Sequence, residues 1–184
     1  MALAIFTRTC AKNVSGASKV FIAEASVVTA VTVASGEISA ITGTTPFMRV
    51  DAEQDSVSWE QKEERIGTNN SKISNTIDFS VVPPAVATNT FLQALIDGSP
   101  CGLLALIQDG NGKVWMVGYN TTDVKARPLR LNNFTQATGK GVSDEAGNTV
   151  PVQLFNECSG IALPLDATLT AAVVGGTSTV IKWT

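Results

Sequence analysis

From Lys72 to Val82 the chain alternates. Ile73, Ile77, Phe79 and Val81 fall on one parity, and Ser74, Thr76, Asp78 and Ser80 on the other. Successive side chains of a strand point to opposite faces, so a period of two predicts a strand with one dry and one wet face. Such a strand is stable only within a sheet. The rest of the chain agrees. Thr, Val and Ala dominate, and Gly, Asn and Asp clusters recur at short intervals. β-branched side chains suit a pleated surface, and those clusters suit turns. The predicted class is mainly β: an antiparallel β-sandwich or half-barrel.

The segment before this strand is densely charged. Arg49, Asp51, Glu53, Asp55, Glu60, Lys62, Glu63, Glu64 and Arg65 all lie between Phe47 and Ile66. On a helix, Val57 and Trp59 would fall on different faces and no apolar stripe would form. On a strand, Val57, Trp59, Gln61, Glu63 and Arg65 share one face, and the strand is preferred. Gly67-Thr68-Asn69-Asn70 supplies a turn. Val57–Val82 is therefore predicted as a long β-hairpin, polar toward its tip and ended by Pro83-Pro84.

Elsewhere, Ala2–Thr9 reads as a short strand or arm and Lys19–Ala34 as a long strand. Val27–Val33 lacks alternation. It predicts a strand buried on both faces, inside a sandwich or at a subunit contact. One helix is predicted, capped by Thr88 or Asn89, with Phe91, Leu92, Leu95 and Ile96 on its inner face and Asp97-Gly98 at its end. It is too short to stand alone and must dock on a sheet. Cys101–Gln108, Lys113–Tyr119, Arg127–Ala137, Val150–Phe155 and Ile161–Leu165 are further strands. Thr168–Val174, Gly175-Gly176 and Thr177–Trp183 predict a terminal hairpin.

Composition narrows the function. The 184 residues suit one domain, spanning 1–184, with an N-terminal arm over about 1–18 and a C-terminal hairpin over about 167–184. Hydrophobic residues are 44% of the chain, ample for a core. The net charge is −3, so no global basic field favours nonspecific nucleic-acid binding. Histidine is absent, which removes His-dependent nucleophilic catalysis, metal ligation and pH switching together. Cys10, Cys101 and Cys158 lie far apart and form no metal-knuckle spacing. Three reduced, mostly buried thiols are expected, as in a protein that folds in a cytoplasm. Met1–Phe6 is too short an apolar stretch for a signal peptide, and no segment reaches the length that spans a bilayer, so no membrane contact is expected.

Each candidate site has a plainer reading. Asp109-Gly110-Asn111-Gly112 resembles part of a calcium loop, but apolar strands flank it, as in a hairpin. The carboxylates Asp51, Glu53, Asp55, Glu60, Glu63 and Glu64 would need an apolar cleft to act as an acid–base pair, and a solvated strand face fits them better. Lys125, Arg127 and Arg130, near Tyr119 and Phe134, form a small basic cluster. It would touch phosphate, or serve as surface charge or a subunit salt bridge. No catalytic, cofactor or metal site is expected, and the chain is not expected to be an enzyme.

The order of several motifs resembles the tail-tube-like structural proteins of tailed bacteriophages, especially of the Bacteroidetes-phage type. These are Thr9-Cys10-Ala11-Lys12-Asn13-Val14-Ser15-Gly16, Lys19–Ala23, Asp55–Glu60, Thr76–Phe79, Leu104–Trp115 and Asp144–Asn148. The resemblance implies a tail-tube-like β fold with one short flanking α-helix and a long hairpin. It further implies hexameric rings stacked into a tube that conducts DNA without specific binding, alongside other tail proteins. Its place would be the virion tail, after assembly in the host cytoplasm. Trp59, Glu60, Lys62, Glu63, Glu64, Arg65 and Lys72 are the implied interface or lumen residues of the hairpin. A tail terminator or neck ring is the near alternative. A β-sandwich adhesin or carbohydrate-binding module would expose Trp59, Trp115 or Trp183 as a platform, and a small carboxylate hydrolase is the third class.

Overall fold

The computed structural model describes residues 16–174, apart from 45–46, 51, 53–54, 69, 82–85, 121–124, 137–148 and 159. In chain order the strands are β1 (Ala17–Glu24), β2 (Val28–Ala34), β3 (Glu37–Gly43), β4 (Met48–Val50), β5 (Ser58–Arg65), β6 (Ser71–Val81), β7 (Leu103–Asp109), β8 (Val114–Val117), β9 (Tyr119–Asn120), β10 (Lys125–Ala126), β11 (Arg130–Phe134), β12 (Val150–Cys158) and β13 (Leu163–Pro164). The helices are α1 (Val86–Gly98) and α2 (Ala167–Val174). The fold is mainly β, and every named strand pair is antiparallel.

Two sheets and two satellites make layers. A five-stranded sheet runs β13-β8-β7-β1-β4, and a four-stranded sheet runs β11-β12-β6-β5. Two bridges link them, Ala52 to Val81 and Leu103 to Leu129. The five-stranded sheet is the middle layer. Leu103, Ala105 and Ile107 of β7 meet Ile77, Phe79 and Leu154 of the four-stranded sheet, with Leu92 and Leu95 of α1. On the other face, Leu104 and Leu106 meet Ile38 and Ile41 of the β2–β3 hairpin and Val173 of α2. A strand covered on both faces needs an apolar residue at each step, and Leu103–Ile107 supplies one.

Two-faced burial was expected at Val27–Val33. Within one chain it falls at β7 instead, and Val27–Val33 is not buried inside the sandwich. The long strand Lys19–Ala34 breaks at a 3-10 turn, Ala25–Val27, where the Ala25 N–H donates to Gly102 O. Beyond the break only Val28 and Val31 are half-buried, and the rest of β2 is exposed. The small residues Thr29, Ala30, Thr32 and Ala34 carry too little apolar area to hold both faces down.

The C-terminal hairpin is corrected in its first half. Residues 167–174 form α2, not a strand. The Asp166 carboxylate caps it, accepting the Leu169 N–H at 2.6 Å. Leu165 and Val173 are buried and Leu169 packs beside them, one turn apart each, so a helical stripe outweighs the β-branched propensity. Residues 175–184 lie outside the described ones, as does the N-terminal arm up to residue 15; β1 already begins at Ala17. Helix α1 begins at Val86, so Thr88 and Asn89 sit in its first turn and do not cap it. Phe91, Leu92 and Leu95 turn inward, and Ile96 is exposed. The thiols are also less buried than expected: Cys101 is exposed and Cys158 half-buried, while Cys10 lies outside the described residues.

Candidate functional site

The predicted hairpin is present. Strands β5 and β6 pair from Ser58 with Asp78 to Arg65 with Ser71. Its root packs on the core of its own chain, with Val57, Ile77, Phe79 and Val81 all buried. The hairpin projects less than the sequence suggested. Strand β12 accompanies β6 from Val81 to Ile73, so only Glu64 and Arg65, their partners Lys72 and Ser71, and the turn extend beyond that ladder.

Parity sorts the side chains of β5. Trp59 and Gln61 point inward and are half-buried; Glu60 points outward and is exposed. From Lys62 through Glu63, Glu64 and Arg65 every residue is exposed, so the distal half is wet on both faces. The tip is locally braced. Arg65 donates to Gly67 O at 3.2 Å and Thr68 O at 2.8 Å, and the Ile66 N–H donates to Asn70 O. Lys72 bridges Glu64 at 3.2 Å and Glu157 at 2.7 Å. Its hydrogen bonds to Glu157, then Glu64, raise its pKa above the ordinary 10.5.

Trp59 marks the boundary between dry and wet. Its ring lies 5.6 Å from that of Trp115 on β8, tilted by 44°, joining the two sheets at their rim. The indole N–H of Trp59 donates to Asn75 Oδ1 at 3.3 Å, as does Gln61 Nε2 at 2.9 Å. Buried Asn75 passes this on, donating to Asn156 Oδ1 at 2.9 Å, and Asn156 Nδ2 donates to Arg127 O. Cys158 joins the network by accepting from Asn75 Nδ2 at 3.5 Å, and its thiol donates to Gly160 O at 3.0 Å. Burial raises the pKa of its thiol, outweighing the Gly160 and Asn75 hydrogen bonds and nearby Arg127. This chain of amides was not foreseen in the sequence. Its signal is parity: Asn75 occupies an inward position between Ile73 and Ile77, where a polar residue must find partners.

The outer face of the four-stranded sheet is polar. Asp78, Glu60, Glu64 and Glu157 share it with Lys62, Lys72 and Arg130. A side-chain ladder crosses it, from Asn132 Nδ2 to Gln153 Oε1 at 2.5 Å and from Gln153 Nε2 to Asp78 Oδ1 at 2.8 Å.

The remaining candidates separate. Asp109-Gly110-Asn111-Gly112 is a hairpin turn, with Asp109 Oδ1 accepting the N–H groups of Asn111 and Lys113. Glu60, Glu63 and Glu64 stand on the wet strand, Asp55 is exposed, and Asp51 and Glu53 lie outside the described residues. Arg127 and Arg130 are exposed at the β11 end of the sheet, beside a cleft of about 490 Å³ lined also by Asn132, Phe155 and Glu157. Tyr119 and Phe134 pack against the cores instead of flanking these arginines. Trp59 and Trp115 face each other at an angle and present no shared flat platform; Trp183 lies outside the described residues. Among the described residues no group of three potential metal ligands stands together, and no helix is long and apolar enough to cross a membrane. Comparison with protein-family models, curated proteins and solved structures finds no match.

Proposed function

We propose that this chain is a structural subunit of a phage tail, that its copies close into hexameric rings, and that the rings stack into the tube through which DNA leaves the virion. The observation that carries this reading is the four-stranded sheet. Its inner face is dry, its outer face is wet and ionic, and it ends in the charged strand β5. The four strands alternate in direction, so the end strands β5 and β11 run antiparallel to each other. Copies related by rotation about an axis along the strands therefore bring β5 of one beside an oppositely directed β11 of the next. Repeating such a head-to-tail contact closes a ring.

The wet face then lines the bore. Acids slightly outnumber bases on it, and Lys72 is already held by two carboxylates. A passing polyanion meets few unpaired cations there, so DNA slides without a binding groove. The site performs no catalysis and needs no cofactor. Negative-stain microscopy of the purified protein tests the reading. Tubes are expected; unstacked single rings would favour a terminator or neck position, and monomers at every concentration would overturn it.

A further inference from the structure

Cross-strand registry aligns four residues in one row across the four-stranded sheet: Arg130 opposite Phe155, Phe155 opposite Thr76, and Thr76 opposite Glu60. All four point to the outer face. The row thus begins with a cation on β11 and ends with an anion on β5. Arg130 and Glu60 are both exposed, and among the described residues neither has an ion-pair partner. The two flanking segments differ in charge, although Glu157 lines the cleft beside Arg130. Residues 125–135 contain Lys125, Arg127 and Arg130 and no acid, whereas β5 contains Glu60, Glu63 and Glu64 against Lys62 and Arg65.

We propose that Glu60 of one copy pairs with Arg130 of the next, and that this ion pair sets the register of the subunit contact. The inference rests on the ring reading above. With the next copy seated at the same level, the side chain of Glu60 reaches toward the cleft beside that copy's Arg130, across an edge that the Leu103 and Ser99 contacts keep free of a strand ladder. A shift of two residues would bring Lys62 to Arg130 and repel. A shift of four would bring Glu64, which is already held by Lys72 at 3.2 Å.

The backbone explains why side chains carry this contact. Just before β11 the Leu129 N–H and C=O are bonded to Leu103, and on β11 the Leu131 N–H donates to Ser99 Oγ at 2.9 Å. A continued strand ladder is therefore blocked along the first part of that edge. Where backbone pairing cannot fix the register, complementary charge fixes it, since like charges brought together at a contact are strongly penalised.

The test is a charge swap on the full chain, with assembly followed by sedimentation velocity at low and high salt. Both positions are exposed, so circular dichroism and melting temperature should match wild type. Glu60→Arg and Arg130→Glu should each raise the concentration for half-assembly about ten-fold or more at low salt. The double variant, and an equimolar mixture of the two single variants, should return to the wild-type range. If the single reversals assemble like wild type, or the double variant stays impaired, the pairing is wrong while the ring reading stands. If wild type itself never associates, both fall.

Discussion

Asn75 is the residue on which the hairpin's position depends most. Its side chain gathers Trp59, Gln61 and Asn156, and all of these hydrogen bonds are lost on truncation. Asn75→Ala leaves the Asn156 amide, itself buried, short of a partner. An unsatisfied buried polar group costs about 1–3 kcal/mol, so this variant should lose that much stability in urea denaturation. An unchanged midpoint would show that the amide network contributes nothing. Lys72 acts differently, on the surface. Its folded pKa is raised, so its contribution is fully present below the unfolded value of about 10.5 and fades as pH rises through the folded value. Wild type should therefore lose stability above pH 10.5 more steeply than Lys72→Met, in paired thermal melts across pH 9–12. The group is solvated and the effect is small.

At the scale of elements, β5 and β6 form a hairpin whose two halves do different work. The root is fastened by Ile77, Phe79 and Val81. The distal half from Lys62 to Arg65 buries nothing in its own chain. Lys62 and Ser74 are cross-strand partners, so an Asn-Gly turn can join them directly in place of residues 63–73. That shortened chain should fold with a melting temperature within a few degrees of wild type and should fail to form tubes. Normal tubes from it would remove the tip from the assembly. The sequence made this hairpin legible because polarity changed with parity along Lys72–Val82 and charge piled up toward the turn. It misled on the burial of β2 and on the helical state of α2. In both, β-branched residues suggested strands with certain surroundings, but long-range packing decided. The Asp166 cap and the Leu165, Leu169, Val173 spacing were helical signals that β propensity masked. The Asn75–Asn156 contact joins residues far apart in sequence, and only the β6–β12 register brings them together.

For the whole molecule, the middle sheet covered on both faces gives a rigid body, and the four-stranded sheet beside it offers one wet face. A glycine holds one corner of that body. Gly102 has φ of +90°, and an added Cβ would lie 2.2 Å from the Pro128 ring, just before the Leu103–Leu129 bridge. The corner thus fixes β11, and with it Arg130, relative to the core. The wet face, its oppositely directed end strands and its opposite end charges together suit head-to-tail closure. Sedimentation velocity of the wild-type chain over a wide concentration range tests it most directly. Head-to-tail closure gives conversion from monomer to a hexamer-sized species and then to larger stacks, with no stable dimer plateau. A single monomeric boundary at every concentration, or a closed dimer that grows no further, would contradict it.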